Sequence, residues 1–412
     1  MTQRREIPFG RPWMTHRERE AVATVLDGPI LTHGPHCSAF EKRFASFMGD
    51  GAHCVSMSSC MAALHMAWFH LGVGPGDEVI CPAMTHVATA HAIELTGARP
   101  VFVDCDASGN IDPVAVEAAI TPNTRGITLV HFLGVPCDMA AIMDIARRHD
   151  LRVVEDCALA VGTRLDGVHA GLFGDAGCFS FYPVKHLTTA EGGMLVTRDA
   201  DAAVTVARKR AFGVDRTHAD RSMPGVYDVD MLGMNCRMSE LQAALGLAQL
   251  ERVDEMLARR RENFRVLSEG LGSLENVRVL GGVSGETSGG VSGGTSGGVS
   301  GGTFGGEAGA AIGAGAQSSH YCLSVVLEGP LSARRPDLAA SLRQAGIGFS
   351  VYYPHPVPRL TYYREKYGWR DGEFPNARAV SDSSVALPVG PHLGVGDMEY
   401  VAETFSNAVK EL

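Results

Sequence analysis

Between residues 50 and 200 the chain repeats one pattern, a short and almost uninterrupted apolar run followed by a helical stretch. The apolar runs lie at 79–81, 99–104, 127–132, 151–156, 177–182 and 193–197, and helical spacing fills 112–120 and 138–149. Strands that are apolar on both faces cannot belong to a sheet with one wet side. They imply an α/β unit, a mostly parallel sheet covered by helices on both faces. Ligands of such sheets collect beyond the carboxyl ends of the strands.

Outside this region the pattern changes. Residues 17–27 and 38–48 read as amphipathic helices, the second carrying Phe40, Phe44 and Phe47 at helical spacing. Residues 239–271 read as one helical stretch, long enough to connect two bodies. A second α/β portion follows, with strands expected at 320–327 and 348–353, a helix at 335–345 and a last helix from 396. We therefore expect a large domain at 1–255 and a smaller one at 256–412. The smaller one is interrupted at 281–317 by an eight-residue repeat, "GGVSGETS", "GGVSGGTS", "GGVSGGTF". So much glycine cannot repay its ordering entropy, so the repeat is expected to be a flexible loop without chemistry. A phosphate cradle is the competing reading, but such loops are single and sit between a strand and a helix.

The net charge of −10, without a basic stripe, speaks against a nucleic-acid partner. No apolar run approaches the roughly 20 residues of a membrane span. The first residues show no apolar core after their arginines, so no signal peptide is read there. The ten cysteines show no paired metal-ligand spacing and mostly sit in apolar runs. They read as reduced, buried thiols of a cytoplasmic protein, with neither disulfides nor a metal site expected.

Within this frame, "SFYPVKHLTTAEGG" (180–193) places a lysine at the mouth of the sheet. Lysine is almost never buried unless paired or chemically employed. Asp156 ends another apolar run, so its carboxylate should lie at the same carboxyl edge. Ser58 and Ser59 open a helix whose free backbone N–H groups could hold an anion. An amine, a carboxylate and a phosphate site are what pyridoxal 5′-phosphate requires: the amine forms a Schiff base and the carboxylate keeps the ring nitrogen protonated. Each part also has a plainer reading. Asp156 could be a helix cap, Lys185 a snorkelling surface residue, and the serines simple caps.

The longer stretch "GDAGCFSFYPVKHLTTAEGGMLVT" (174–197) resembles the lysine motif of the DegT/StrS family of fold-type I sugar aminotransferases. The likeness extends through "SMSSCMAALHMAWFHLGVGPGDEVICPAMTHVATAHAI" (56–93), "VVEDCALAVG" (153–162), "LGMNCRMSELQAALGLAQL" (232–250) and "FPNARAVSDSSVALPV" (374–389). It spans nearly the whole chain apart from the repeat. The resemblance implies a large domain with a mostly parallel seven-stranded sheet, a smaller C-terminal α/β domain, and a homodimer. Carried over, Lys185 would be the Schiff-base lysine and proton shuttle, and Asp156 the partner of the ring nitrogen. Ser180, Cys60 and Met61 would hold the phosphate, and His86 would stack on the ring. Asn235, possibly joined by Arg237, would reach the partner subunit's phosphate. Thr32, Tyr353 and His355 are candidate sugar contacts, with structural loop roles as the alternative.

Two departures stand out: Met61 occupies a position that usually carries threonine, and Leu159 one that often carries glutamine. The implied reaction moves an amino group from an amino acid, glutamate first, to a nucleotide-linked keto-deoxyhexose for aminosugar or polysaccharide synthesis. Relatives that remove a hydroxyl carry histidine in place of the lysine. Here the lysine is present and His186 merely follows it, so a dehydratase is the weaker alternative. A non-catalytic sensor and a lyase or decarboxylase of the same fold are the others.

Overall fold

The computed structural model describes residues 5–49, 51–215, 223, 226–272, 274–280, 315–370 and 372–412. The apolar runs become strands β1 (His53–Met57), β2 (Glu78–Pro82), β3 (Arg99–Val103), β4 (Thr124–Val130) and β5 (Arg152–Asp156). The short β6 (Arg164–Leu165) and β7 (Val168–His169) precede β8 (Ala176–Ser180) and β9 (Gly193–Thr197). Seven of these form one sheet in the order β1-β9-β8-β5-β4-β2-β3. Strand β9 runs antiparallel to both of its neighbours, while β8, β5, β4, β2 and β3 pair in parallel.

Helices cover both faces, as the doubly apolar strands require. On one side Trp68, Leu64 and Ile93 pack against Val154 and Leu195. On the other, Phe40 and Phe44 from the helix Pro35–Met48 meet Phe181 and Phe179, each pair with centroids 5.2 Å apart.

The register brings the site together. Asp156 lies opposite Val130 on β4 and Cys178 on β8. At the end of β8, Ser180 pairs with Gly193, which also pairs with Met57 at the end of β1. The helix Cys60–His70 starts just beyond β1, capped by Ser59, whose side chain accepts from the N–H of Ala62. A Cβ on Gly193 would lie 2.4 Å from the carbonyl of Ser59 and 2.6 Å from the nitrogen of Cys60. Only glycine lets the helix start press so closely on the sheet.

The C-terminal part is built on an antiparallel sheet of β10 (Val277–Leu280), β12 (Leu323–Leu327) and β13 (Ser384–Leu387). Its core includes Phe264, Leu267 and Leu271 from the helix Val253–Leu271, Phe405 from the helix Val395–Lys410, and Ile7 from the N-terminal segment. No helix among the described residues is long and apolar enough to cross a membrane. The ten cysteines are free thiols.

Several local expectations need correction. The stretch 239–271 is two helices, Glu240–Leu250 and Val253–Leu271, because Arg252 leaves helical geometry and pairs with Glu18 at 2.9 Å. Residues 348–353 do not form a strand; a single bridge joins Ser350 to Ala386. The C-terminal end of the expected loop is structured, since β11 (Ala316–Gln317) pairs with β6. Residues 281–314 of the repeat lie outside the described residues.

Candidate active site

Asp156, the last residue of β5, is nearly buried. Its Oδ1 accepts from the N–H of Ala158 at 2.9 Å, and its Oδ2 accepts from the Thr89 hydroxyl at 2.8 Å. Lys185 lies beyond the end of β8, in a turn closed by its own N–H donating to the Tyr182 carbonyl at 2.9 Å. The residue keeps some exposure, yet its amine is deep enough that burial lowers its pKa below the ordinary lysine value. The neighbouring Asp156 carboxylate and the Cys60 thiol oppose that shift. Desolvation outweighs that opposition, so the amine loses its proton more readily than a surface lysine and becomes a nucleophile.

The amine lies 5.2 Å from the ring centroid of Tyr321, contributed by the C-terminal part of the chain. The Tyr321 hydroxyl meets that of Tyr352 at 2.8 Å, and on its other side Tyr321 offers its carbonyl to Arg260, also at 2.8 Å. Tyr353 is close enough that, after burial itself, the Asp156 charge adds to the rise in its phenol pKa. Its ring stands edge-on to His86 at 5.7 Å. His86 is exposed and caps the helix Val87–Glu94, its Nδ1 accepting from Ala88 N–H at 3.1 Å. The partial burial of its ring lowers its pKa, an effect the Asp156 charge opposes.

The helix start Cys60–Met61 borders the same space. Cys60 feels both Asp156 and Lys185, and its thiol is pushed up first by burial and then by Asp156. Ser59 and its backbone use the N–H groups of Ala62 and Ala63. Those of Cys60 and Met61 keep no acceptor among the described residues. Ser180 is buried at the end of β8, its hydroxyl 3.4 Å from Tyr182 N. Leu159 is fully buried, and its carbonyl accepts from the Ser319 hydroxyl.

Lys185, Asp156, Cys60, His86 and Tyr353 thus converge on one space, with Met61 and Ser180 at its sheet edge. Asn235 and Arg237 flank Cys236, whose carbonyl accepts from Ser58 N–H at 2.8 Å. Asn235 is exposed, and the Arg237 guanidinium stacks on Phe212 at 4.9 Å. Thr32 and His355 are exposed, and no hydrogen bond or ring contact ties either to Lys185 or Asp156. Residue spacing alone missed Thr89, Thr85 and Tyr321. The threonine pair had a signal, hydroxyls four residues apart at the head of a helix; Tyr321 had none. A separate cleft of about 410 Å³, lined by His70, Arg152, Asp175 and Arg198 among others, opens at the opposite edge of the sheet, away from this chemistry.

The helix start fits a phosphate, the amine fits an aldehyde, and each Asp156 oxygen has accepted only one of the two hydrogen bonds it can take. The residues present therefore fit pyridoxal 5′-phosphate.

Comparison with known proteins agrees. The model of the DegT/DnrJ/EryC1/StrS aminotransferase family matches residues 12–289 and 306–406. The chain is 36% identical over 420 residues to the spore coat polysaccharide biosynthesis protein SpsC of Bacillus subtilis (strain 168), covering 100% of this chain and 99% of the relative. It is 41% identical over 272 residues to the GDP-perosamine synthase of Caulobacter vibrioides, covering 66% and 71% of the two chains. The Streptococcus pneumoniae protein Spr1654, solved in a PLP-form, superposes with a TM-score of 0.83 at 28% identity, covering 99% of each chain. With matches over nearly its full length, the chain belongs to the DegT/DnrJ/EryC1/StrS aminotransferase family.

Proposed function

We propose that the chain is a pyridoxal 5′-phosphate-dependent sugar aminotransferase. It would move an amino group from an amino acid, glutamate first, to a nucleotide-linked keto-deoxyhexose in aminosugar or surface-polysaccharide synthesis. The observation that carries this reading is the Lys185 amine set over the Tyr321 ring, close enough to feel the half-satisfied Asp156 carboxylate and the helix start at Cys60. The names of two relatives, a spore coat polysaccharide protein and a GDP-perosamine synthase, support the substrate class.

When bound, the cofactor supplies a carbonyl carbon for the incoming amine and a ring that takes up the electron pair left by a departing proton. The chain's residues do the rest. The N–H groups of Cys60 and Met61 and the Ser180 hydroxyl would hold the phosphate. Asp156 would hold the proton on the ring nitrogen, and His86 would cover one ring face. The Lys185 amine would take the proton from the donor's α-carbon and deliver it to the cofactor's exocyclic carbon, on the far side of the transferred nitrogen. A positioned base of this kind is worth roughly 10²- to 10⁴-fold in rate. Asn235 and Arg237, on the exposed loop beside Ser58, would complete the phosphate site of a second subunit in a homodimer. Thr32, Tyr353 and His355 would contact the sugar.

The dehydratase and sensor readings are not favoured, because lysine occupies position 185 and the relatives are aminotransferases. The test uses purified, cofactor-loaded protein. Its visible band should bleach with glutamate and return with a nucleotide ketosugar, giving the aminosugar as product. A band indifferent to glutamate overturns the reading in favour of a sensor. Carbon dioxide or a cleaved fragment, without amine transfer, overturns it in favour of a lyase or decarboxylase.

A further inference from the structure

Behind Asp156 lie two threonines that the mechanism above does not use. Thr85 and Thr89 are, like Asp156, almost completely buried. The Thr89 hydroxyl is 2.8 Å from Asp156 Oδ2, and the Thr85 hydroxyl is 2.7 Å from that of Thr89. The direction of this chain follows from the donor inventory. A hydroxyl has one proton, and an ionised carboxylate can only accept. Thr89 therefore gives its proton to Asp156, and its oxygen accepts the proton of Thr85. A hydroxyl that accepts one bond while donating another is polarised into a stronger donor.

The scaffold fixes this line of atoms. Thr89 is the third residue of the helix Val87–Glu94, with its N–H donating to the His86 carbonyl at 3.1 Å. Its β-branched side chain has few rotamers available there. The same helix start is capped by the His86 ring, so that imidazole and the hydroxyl behind Asp156 belong to one rigid unit. On the other oxygen, Ala158 N–H holds Oδ1. Asp156 is thereby clamped at both oxygens, and its remaining lone pairs are left for a ligand.

We propose that Thr89 and, through it, Thr85 are positioning residues that aim the Asp156 carboxylate at the ring nitrogen of the cofactor and strengthen its hold on the proton there. The inference rests on the functional reading above. A mere packing role would make the pair important for stability alone.

The experiment compares T89V, T89S, T85V and the T85V/T89V double variant as full-length chains. Three quantities are read: cofactor dissociation, the pH at which the visible band of the lysine-bound cofactor titrates, and the melting temperature of the cofactor-free chain. Hydrogen bonds to charged groups predict that T89V weakens cofactor binding about 10- to 100-fold. The band's titration should move to higher pH, because a looser hold on the ring proton leaves less positive charge beside the amine. T89S should restore both. T85V should give a smaller shift in the same direction, and the double variant should match T89V, because Thr85 acts only through Thr89. If T89V does not fold, T85V, which keeps the Thr89–Asp156 bond, carries the test.

A folded T89V with wild-type cofactor affinity and band titration, changed only in melting temperature, overturns the inference alone; so does an unchanged T85V where T89V cannot be made. A wild-type chain that binds no pyridoxal 5′-phosphate overturns the functional reading, and this inference with it.

Discussion

Glu155 and Asp156 are neighbours on β5, point to opposite faces of the sheet and are both buried, yet their surroundings could hardly differ more. Glu155 accepts four hydrogen bonds. Oε1 takes the N–H groups of Phe173 and Gly174, each at 2.8 Å, and Oε2 takes Gly171 N–H at 2.6 Å and His131 Nε2 at 2.9 Å. The far nitrogen of His131 accepts from Cys137 N–H, which leaves Nε2 as the donor. His131, Glu155 and Cys157 have the residue types of a metal site, but every Glu155 lone pair is already used. Asp156 accepts only two hydrogen bonds and faces a lysine whose amine burial has unsettled. A saturated buried carboxylate holds a fold together. One left half-satisfied beside a desolvated amine is an opening for a ligand.

The contrast can be broken most forcefully at Lys185. Lys185→Ala should cost at least about 10²- to 10⁴-fold in amine transfer with the fold intact; a variant that still transfers at the wild-type rate removes the active-site side of the comparison. The other side is tested with Glu155→Ala, which strands His131 and three backbone donors. It should lower unfolding free energy by about 3–5 kcal/mol in urea titration, because each buried donor left without an acceptor costs about 1–3 kcal/mol. Asp156→Asn should do the reverse, abolishing transfer while changing urea stability by less than about 1 kcal/mol. Equal stability losses at 155 and 156 would erase the distinction drawn here.

The unsettled amine also has a signature in pH. Because burial lowers the Lys185 pKa in the folded chain, both states carry the proton at low pH, and folding bears the full desolvation cost. As pH rises through the folded pKa toward the unfolded value near 10.5, the folded state sheds its proton first. The unfolded state then binds more protons, and stability rises with pH. Lys185→Met lacks this dependence, so its stability advantage over the cofactor-free wild type should shrink from about pH 7 to about pH 10. A constant gap in urea midpoints would contradict the burial effect. The smallest effect is expected from Met61→Thr, which adds a hydroxyl at the helix start. Equilibrium dialysis should show cofactor binding tighter by about 2- to 10-fold, the range of one ordinary hydrogen bond.

Legibility from sequence followed how local the physics was. The strand ending at Asp156 and the run before Lys185 stood out because charges terminate apolar segments, and the motifs around them carried the family. Strand β1 escaped notice because His53 and Ser56 break its apolar run. Strand β10, only four residues long and half-buried over most of its length, gives no better signal. The division of the 239–271 helix depends on Arg252 finding Glu18, a partner far away in sequence. Within the site, Lys185 and Asp156 could be read from single segments. Tyr321 could not, since its role over the amine exists only once the C-terminal part docks on the large sheet.

The helix Val253–Leu271 has its first turn, through Val253 and Met256, in the core beside β8 and its last turns in the C-terminal core. Midway along it, Arg260 grips the main chain of Tyr321. The position of the Tyr321 ring over the Lys185 amine is thus tied, through one helix, to both hydrophobic cores, and a substitution far out in either core would reach the amine by way of that ring.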